Sequence, residues 1–159
     1  MKTVKTLTLT MSLWTAGTAV AAAGSVTGSP ALALASVVAA HSPTLSPAEK
    51  KAVAAFFDSK NGPSMKGKIT VSAVRIVCRI SNVDVTSRSC ELTFGKQKVS
   101  FTGREANELY ATEAFAGVPS DGAAGSTFES LSRLKCTLDP AALRDKGGGG
   151  ADCSYEAAQ

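Results

Sequence analysis

The stretch that decides the fold runs from Ile69 to Phe101 and reads ITVSAVRIVCRISNVDVTSRSCELTFGKQKVSF. Apolar and polar residues alternate along most of it, which is typical of strands that bury one face. Within it, Gly95-Lys96 fits a two-residue type II′ turn and predicts a hairpin. The facing pairs are then Phe94 with Gln97, Leu92 with Val99, and Cys90 with Phe101. The apolar members of these pairs share one face.

The first part of this stretch, residues 69–80, predicts one long strand with a change of phase. The apolar positions are Ile69, Val71 and Ala73, followed by Val74, Ile76, Cys78 and Ile80. Because side chains alternate between faces with a period of two, this one-residue change predicts a β-bulge near Ala73.

A disulfide between Cys78 and Cys90 follows from the same alternation. With these two residues opposite each other, Ile76 aligns with Leu92, and Val74 aligns with Phe94. Apolar side chains that face each other across two strands stabilise the pair. The bridge would close the polar loop Asn82–Ser89.

The other two cysteines fit a second strand pair. Leu134, Cys136 and Leu138 alternate before Asp139-Pro140, and Cys153 and Tyr155 lie in a last strand after the glycine run 147–150. A Cys136–Cys153 bridge would align Leu134 with Tyr155. Four cysteines allow three connectivities, and the apolar registers favour this one.

Two helices are predicted from their capping sequences. Ser46-Pro47-Ala48-Glu49 has the form of a capping box and predicts a helix to about Asp58, ended by Asn61-Gly62-Pro63. Thr102-Gly103-Arg104-Glu105 predicts a second helix through Ala116. The sequence therefore predicts an α+β fold: an antiparallel sheet of about five strands, two main helices packed on one face, and two disulfides.

Residues 1–23 are predicted to be a signal peptide, because a short basic start precedes an uncharged run of small and apolar residues. Cleavage motifs of the A-x-A type end at Ala21, Ala23, Ala33 and Ala35, so the expected cleavage site extends as late as residue 35.

Residues 24–45 are expected to form a flexible segment with His41 exposed, and 46–159 a single domain. The protein is expected to be secreted or periplasmic, with no stable membrane span once the leader is removed.

The charge of the chain does not favour nucleic acid as a partner. The chain has 17 basic and 13 acidic residues. The leader contains Lys2 and Lys5 and no acidic residue, so the rest of the chain has 15 basic and 13 acidic residues and a net charge of +2. The remaining basic residues are scattered, whereas nucleic-acid sites need a basic patch.

Catalytic and cofactor motifs are absent from the sequence. His41 is the single histidine, and H-E-x-x-H, C-x-x-C and dinucleotide-binding glycine motifs do not occur. Ser132 and Lys135 have the S-x-x-K spacing of serine acyl-enzymes, but they lie in a segment that alternates like a strand. We expect a non-catalytic protein with no cofactor and no metal site.

Function is expected on the loops, since a rigid scaffold commonly presents binding residues there. The candidate binding residues are Asp84, Arg88, Asp121, Ser126, Gly148 and Gly149. The favoured hypothesis is a small exported module that binds a protein or small ligand, with inhibition as one form of that role. The alternatives are a small hydrolase that uses Glu105, Glu108 or Glu113, and a structural component of the cell envelope.

Overall fold

A computed structural model describes residues 22–56, 67–84, 86–115, 125, 127–145 and 149–157. They form one sheet of six antiparallel strands and four helices. In chain order the elements are β1 (Ala22–Thr27), α1 (Ser29–His41), α2 (Pro47–Ala54), β2 (Ile69–Ile80), β3 (Arg88–Phe94), β4 (Gln97–Thr102), α3 (Arg104–Phe115), β5 (Thr127–Leu138), α4 (Pro140–Asp145) and β6 (Ala151–Ala157). The strands lie in the order β1-β6-β5-β2-β3-β4. The predicted α+β class is confirmed, with one more strand than expected.

The predicted hairpin and both disulfides are present. In β3 and β4, Phe94 pairs with Gln97, Leu92 with Val99, and Cys90 with Phe101. Gly95 has φ 59°, as the first central residue of a type II′ turn requires. Cys78 is bonded to Cys90, and Cys136 to Cys153. Each bridge joins directly opposite residues of neighbouring strands.

The predicted change of phase in β2 is present, but the β-bulge expected near Ala73 is not: the register with β5 shifts between Ile76 and Val77. The inward row also differs from the prediction. The buried residues are Val71 and Ala73, followed by Ile76, Val77, Cys78 and Ile80. Val74 is 52% exposed, and the β2–β3 ladder runs only from Arg75 to Ile80. The expected pairing of Val74 with Phe94 is therefore wrong, because two successive residues of β2 point outward here.

Strand β5 has the same irregularity beside it. Its buried residues step from Leu131 to Leu134, and its register with β6 shifts between Ser132 and Lys135, so the predicted pairing of Leu134 with Tyr155 falls on a bulge. Arg133 within this bulge has φ 51°. An L-residue in this left-handed region costs roughly 1–2 kcal/mol.

The segment expected to be flexible, residues 24–45, is ordered and belongs to the core. Strand β1 pairs with β6 from Ala22 to Thr27, and α1 lies against the sheet and against α2 and α3. It buries Ala31, Leu34, Ala35, Val38 and Ala39. The prediction failed because a helix built mainly of Ala, Leu and Val has no polar face, so it lacks the amphipathic pattern that marks most helices.

A close contact fixes β1 beside β6. Gly24 lies opposite Tyr155, and a Cβ atom on Gly24 would come 2.5 Å from Cε2 of the tyrosine ring. Real side chains do not approach so closely, so the ring occupies the space that any other residue at position 24 would need.

We predict that Leu34→Ala lowers the free energy of unfolding by about 3 kcal/mol, because Leu34 is fully buried and loss of a buried leucine leaves a cavity. Denaturant unfolding measures this change. The control is Val83→Ala, at a 97% exposed site, with a change below about 0.5 kcal/mol. A flexible segment at 24–45 would instead make Leu34→Ala as neutral as the control.

Candidate functional site

The loop between β2 and β3 is the candidate site, and we call Ser81–Asp84 together with Thr86 and Ser87 the β2–β3 loop. Its base is closed by the Cys78–Cys90 disulfide, whose Cα atoms are 4.1 Å apart. The N–H of Ser81 donates to the carbonyl oxygen of Ser87 at 3.0 Å. The bridge and this hydrogen bond hold the two ends of the loop together.

Hydrogen bonds within the β2–β3 loop fix its backbone. Ser81 Oγ accepts from the N–H of Val83 at 3.1 Å and from that of Asp84 at 3.3 Å. The Asp84 carboxylate accepts from the Thr86 N–H at 2.9 Å and from its hydroxyl at 2.7 Å. The carbonyl oxygen of Asp84 accepts from the Ser87 N–H at 2.9 Å. Such local bonds from Ser and Asp side chains are typical of tight polar turns.

Val83 is presented to solvent by this loop. Val83 is 97% exposed as a residue, and among the described residues the other large hydrophobic residue that is mainly exposed is Val74. An exposed apolar residue alone carries little meaning, since more than half of a typical protein surface is apolar. Val83 differs because hydrogen bonds fix the backbone that carries it.

Arg88, a predicted binding residue, connects the β2–β3 loop to α3. Its guanidinium lies 4.4 Å from the centre of the Tyr110 ring, a cation–π contact. Its Nη1 donates to Asn107 Oδ1 at 3.3 Å and to the Thr86 carbonyl oxygen at 3.4 Å. These contacts make Arg88 a support for the loop.

A polar cavity of about 400 Å³ adjoins the loop. The described residues that line it include Arg79, Ser81, Asn82, Ser87 and Gly125. The Gly125 N–H donates to the Ile80 carbonyl oxygen at 3.0 Å, and a Cβ atom on Gly125 would overlap Asn82 Oδ1. A glycine is thus needed where this backbone packs on the loop.

Of the remaining predicted loop residues, the structure describes only Gly149. Asp121, Ser126 and Gly148 lie outside the described residues. Gly149 lies just before β6, at the end of the sheet where Ala151 pairs with Leu138 and Leu138 with Ile69. That end is opposite the β2–β3 loop, so the structure groups Asp84 with Arg88 and separates Gly149 from both.

His41 is not the exposed tail residue that was expected. It ends α1, and its ring stacks on Phe101 at 4.6 Å between centroids. Its Nε2 lies 3.4 Å from Glu105 Oε2, but the two atoms are not aligned as a hydrogen bond, since Nε2 is buried with no hydrogen-bond partner among the described residues. Stacking and the apposed carboxylate give His41 a structural role at this helix end.

The helix carboxylates of the hydrolase alternative are separately engaged. Glu105 faces His41. It does not form the predicted capping box with Thr102, because α3 begins after Gly103: the first helical hydrogen bond runs from the Asn107 N–H to the Gly103 carbonyl oxygen. Glu108 accepts from Arg104 Nε at 2.7 Å. The side chain of Glu113 lies outside the described residues. The side chains of Glu105 and Glu108 are 58% and 51% exposed, so neither lies in the buried environment in which a general acid usually works.

Comparison with protein-family models, with curated proteins and with solved structures gives no match for this chain. In the described ranges, no helix is both long and apolar enough to cross a membrane. The same residues include no group of three or more His, Cys, Asp or Glu side chains arranged to hold a metal ion.

The pKa of Asp84 is lowered from its ordinary value of 3.8, first by the Thr86 hydroxyl and then by the Thr86 N–H. Both donors favour the ionised carboxylate. The carboxylate therefore keeps these bonds at pH 3.8, and the loop loses them only as the pH falls through the lowered pKa.

We predict that an NMR titration of the Asp84 carboxyl group has its midpoint below 3.8. The Thr86→Val variant removes the hydroxyl donor at nearly constant shape, so its midpoint should move back toward the ordinary value. Equal midpoints at or above that value in both proteins would show that the Thr86 bonds do not form in solution.

Proposed function

We propose that this protein is an exported, non-catalytic module that binds another protein through the β2–β3 loop. The observation that carries the proposal is the exposure of Val83, 97%, on a loop closed by a buried disulfide and internal hydrogen bonds. The partner would offer an apolar pocket of the size of one branched aliphatic side chain.

Preorganisation supports this role. Binding normally orders flexible side chains and loops, at a cost of roughly 0.5–1.5 kcal/mol for each immobilised side chain. A valine has few rotamers, and the backbone of this loop is already held, so little ordering remains. A rigid apolar anchor in a pocket is the usual source of affinity at protein interfaces.

The hydrogen bonds of the loop favour insertion of a side chain over strand-like binding. An extended, substrate-like loop needs free backbone N–H groups to pair with its partner. Ser81 Oγ already accepts from the N–H groups of Val83 and Asp84. If the module is an inhibitor, it would therefore block its target through the Val83 side chain and not as an extended peptide.

We predict that Val83→Asp weakens capture of the partner from the native extracytoplasmic fraction by about tenfold or more, because burying an unpaired carboxylate in an apolar pocket is costly. The matched control is Val74→Asp, at the other exposed valine, which should leave capture unchanged. Equal capture by wild type and both variants would contradict the assignment of Val83, as would equal loss in both variants.

Export is the second part of the proposal. Two disulfides are consistent with an oxidising extracellular compartment. The positions of β1 and α1 support cleavage of the proposed leader at one of its earlier sites. Cleavage after Ala33 or Ala35 would remove β1 and cut α1 between residues that are fully buried, such as Ala31 and Leu34.

We therefore predict that the exported protein begins at Ala22 or Gly24, after the first or second A-x-A motif. Intact-mass measurement of the protein from the periplasm or medium tests this. An N-terminus at Leu34 or Ser36 would contradict it, and retention of the whole chain in the cytoplasm would overturn the proposed export.

A further inference from the structure

We propose that a cavity on the far side of the molecule from the β2–β3 loop binds a small carboxylate with an apolar body. We call it the bulge cavity; its volume is about 530 Å³, within the range of roughly 300–1,000 Å³ that small-molecule sites occupy. Four segments line it: Pro43-Thr44, Ser72–Val74, Phe94-Gly95 and Arg133–Lys135.

The cavity exists because β2 extends beyond β3. The β2–β3 ladder stops at Arg75, and the Gly95-Lys96 turn ends β3 at this point. In the described part of the chain, residues 69–73 therefore pair with β5 alone. Because Val74 and the next residue of β2 both point outward, Val74 is half-exposed beside Phe94 instead of paired with it.

The wall of the bulge cavity that β5 forms contains a residue with a strained backbone. Arg133 adopts φ 51°, a conformation that non-glycine residues keep only when the surrounding structure holds them in it. Strained residues and β-bulges concentrate beside ligand sites, where they re-aim a side chain. Here the bulge brings Arg133 and Lys135 to the cavity.

The lining defines the chemistry of the ligand. Val74, Phe94 and Leu134 provide apolar walls, Arg133 and Lys135 provide two cations, and no acidic residue is among the described residues that line the cavity. Arg133 Nη1 forms an ion pair with Glu156 Oε1 at 2.8 Å. Lys135 is exposed, and no carboxylate among the described residues pairs with it. An apolar body would fill the cavity while its carboxylate lies near Lys135.

A small molecule fits better than a long peptide. The connection at Pro43-Thr44 and the turn at Gly95 belong to the lining, so a long extended chain would have to cross one of them. Octanoate has an aliphatic body and one carboxylate, and it is a suitable probe.

The test uses the full exported chain and 8-anilinonaphthalene-1-sulfonate, an apolar anion whose fluorescence rises when it is bound. Octanoate should displace it, and octylamine, with the same chain and the opposite charge, should be about tenfold weaker or more. Lys135→Gln should weaken octanoate several-fold. Equal displacement by octanoate and octylamine would overturn the proposed charge recognition.

Location in the cavity is tested by a matched pair of variants. Ser72→Trp places a large ring in the cavity and should abolish octanoate binding. Thr70→Trp adds the same ring to the same strand at a residue that does not line the cavity, and should leave binding intact. Unchanged binding in Ser72→Trp, or equal loss in both, would contradict the location.

If Ser72→Trp does not fold, mapping of octanoate by NMR on the wild type decides the question. Shifts centred on the amides of Val74, Gly95 and Arg133 support the proposal, and shifts centred elsewhere, or none, overturn it. The outcome does not depend on the Val83 variants, so failure of this site and failure of the proposed protein-binding role can be told apart.

Discussion

The cross-strand bridge between Cys78 and Cys90 is the constraint on which the fold and the candidate site both depend. Because side chains alternate between faces, a slip of one residue between β2 and β3 would turn Ile76 and Leu92 out of the core. The bridge makes such a slip impossible, since it joins residues that lie directly opposite each other. It also fixes the distance between the two ends of the β2–β3 loop.

The second bridge gives β5 and β6 the same restraint, so the sheet consists of two covalently fixed strand pairs. They meet where β2 lies beside β5, and neither disulfide crosses this central ladder. In the chain-entropy account each bridge contributes about 3 kcal/mol by restricting the unfolded chain. The core under both pairs is completed by α1, which packs on β2, β5 and β6.

Much of the fold could be predicted because its signals are local. The Gly95-Lys96 turn fixes the hairpin register, apolar alternation predicts the register of Cys78 with Cys90, and Ser46 with Glu49 forms the predicted capping box. Helix α1 could not be predicted in the same way, since its small apolar residues resemble the end of a signal peptide. Val74 was predicted to face inward, but it is exposed because β2 and β5 are irregular at the same position along the sheet. The sequence of β2 does not show which residues of β5 lie beside it.

The sequence indicated the loop that we propose as the site, but not the residue in it on which the proposal depends. The polar segment 82–89 was expected to be a binding loop, and Asp84 and Arg88 lie there. In the structure, Asp84 accepts bonds within the loop, and Arg88 packs on Tyr110. Val83 was missed because an apolar residue in a polar loop can fold inward or stay exposed. Its exposure follows from the bonds that Ser81 makes, and these depend on the folded backbone.

The central claim is that the β2–β3 loop is as rigid as the strands that carry it. Backbone ¹⁵N relaxation of the oxidised protein tests this most directly. We expect order parameters of about 0.8 or more, equal to those of β3, for the N–H groups of Val83, Asp84, Thr86 and Ser87, because each has a hydrogen-bond acceptor within the loop. Values below about 0.6 at these residues, with rigid strands on either side, would contradict it.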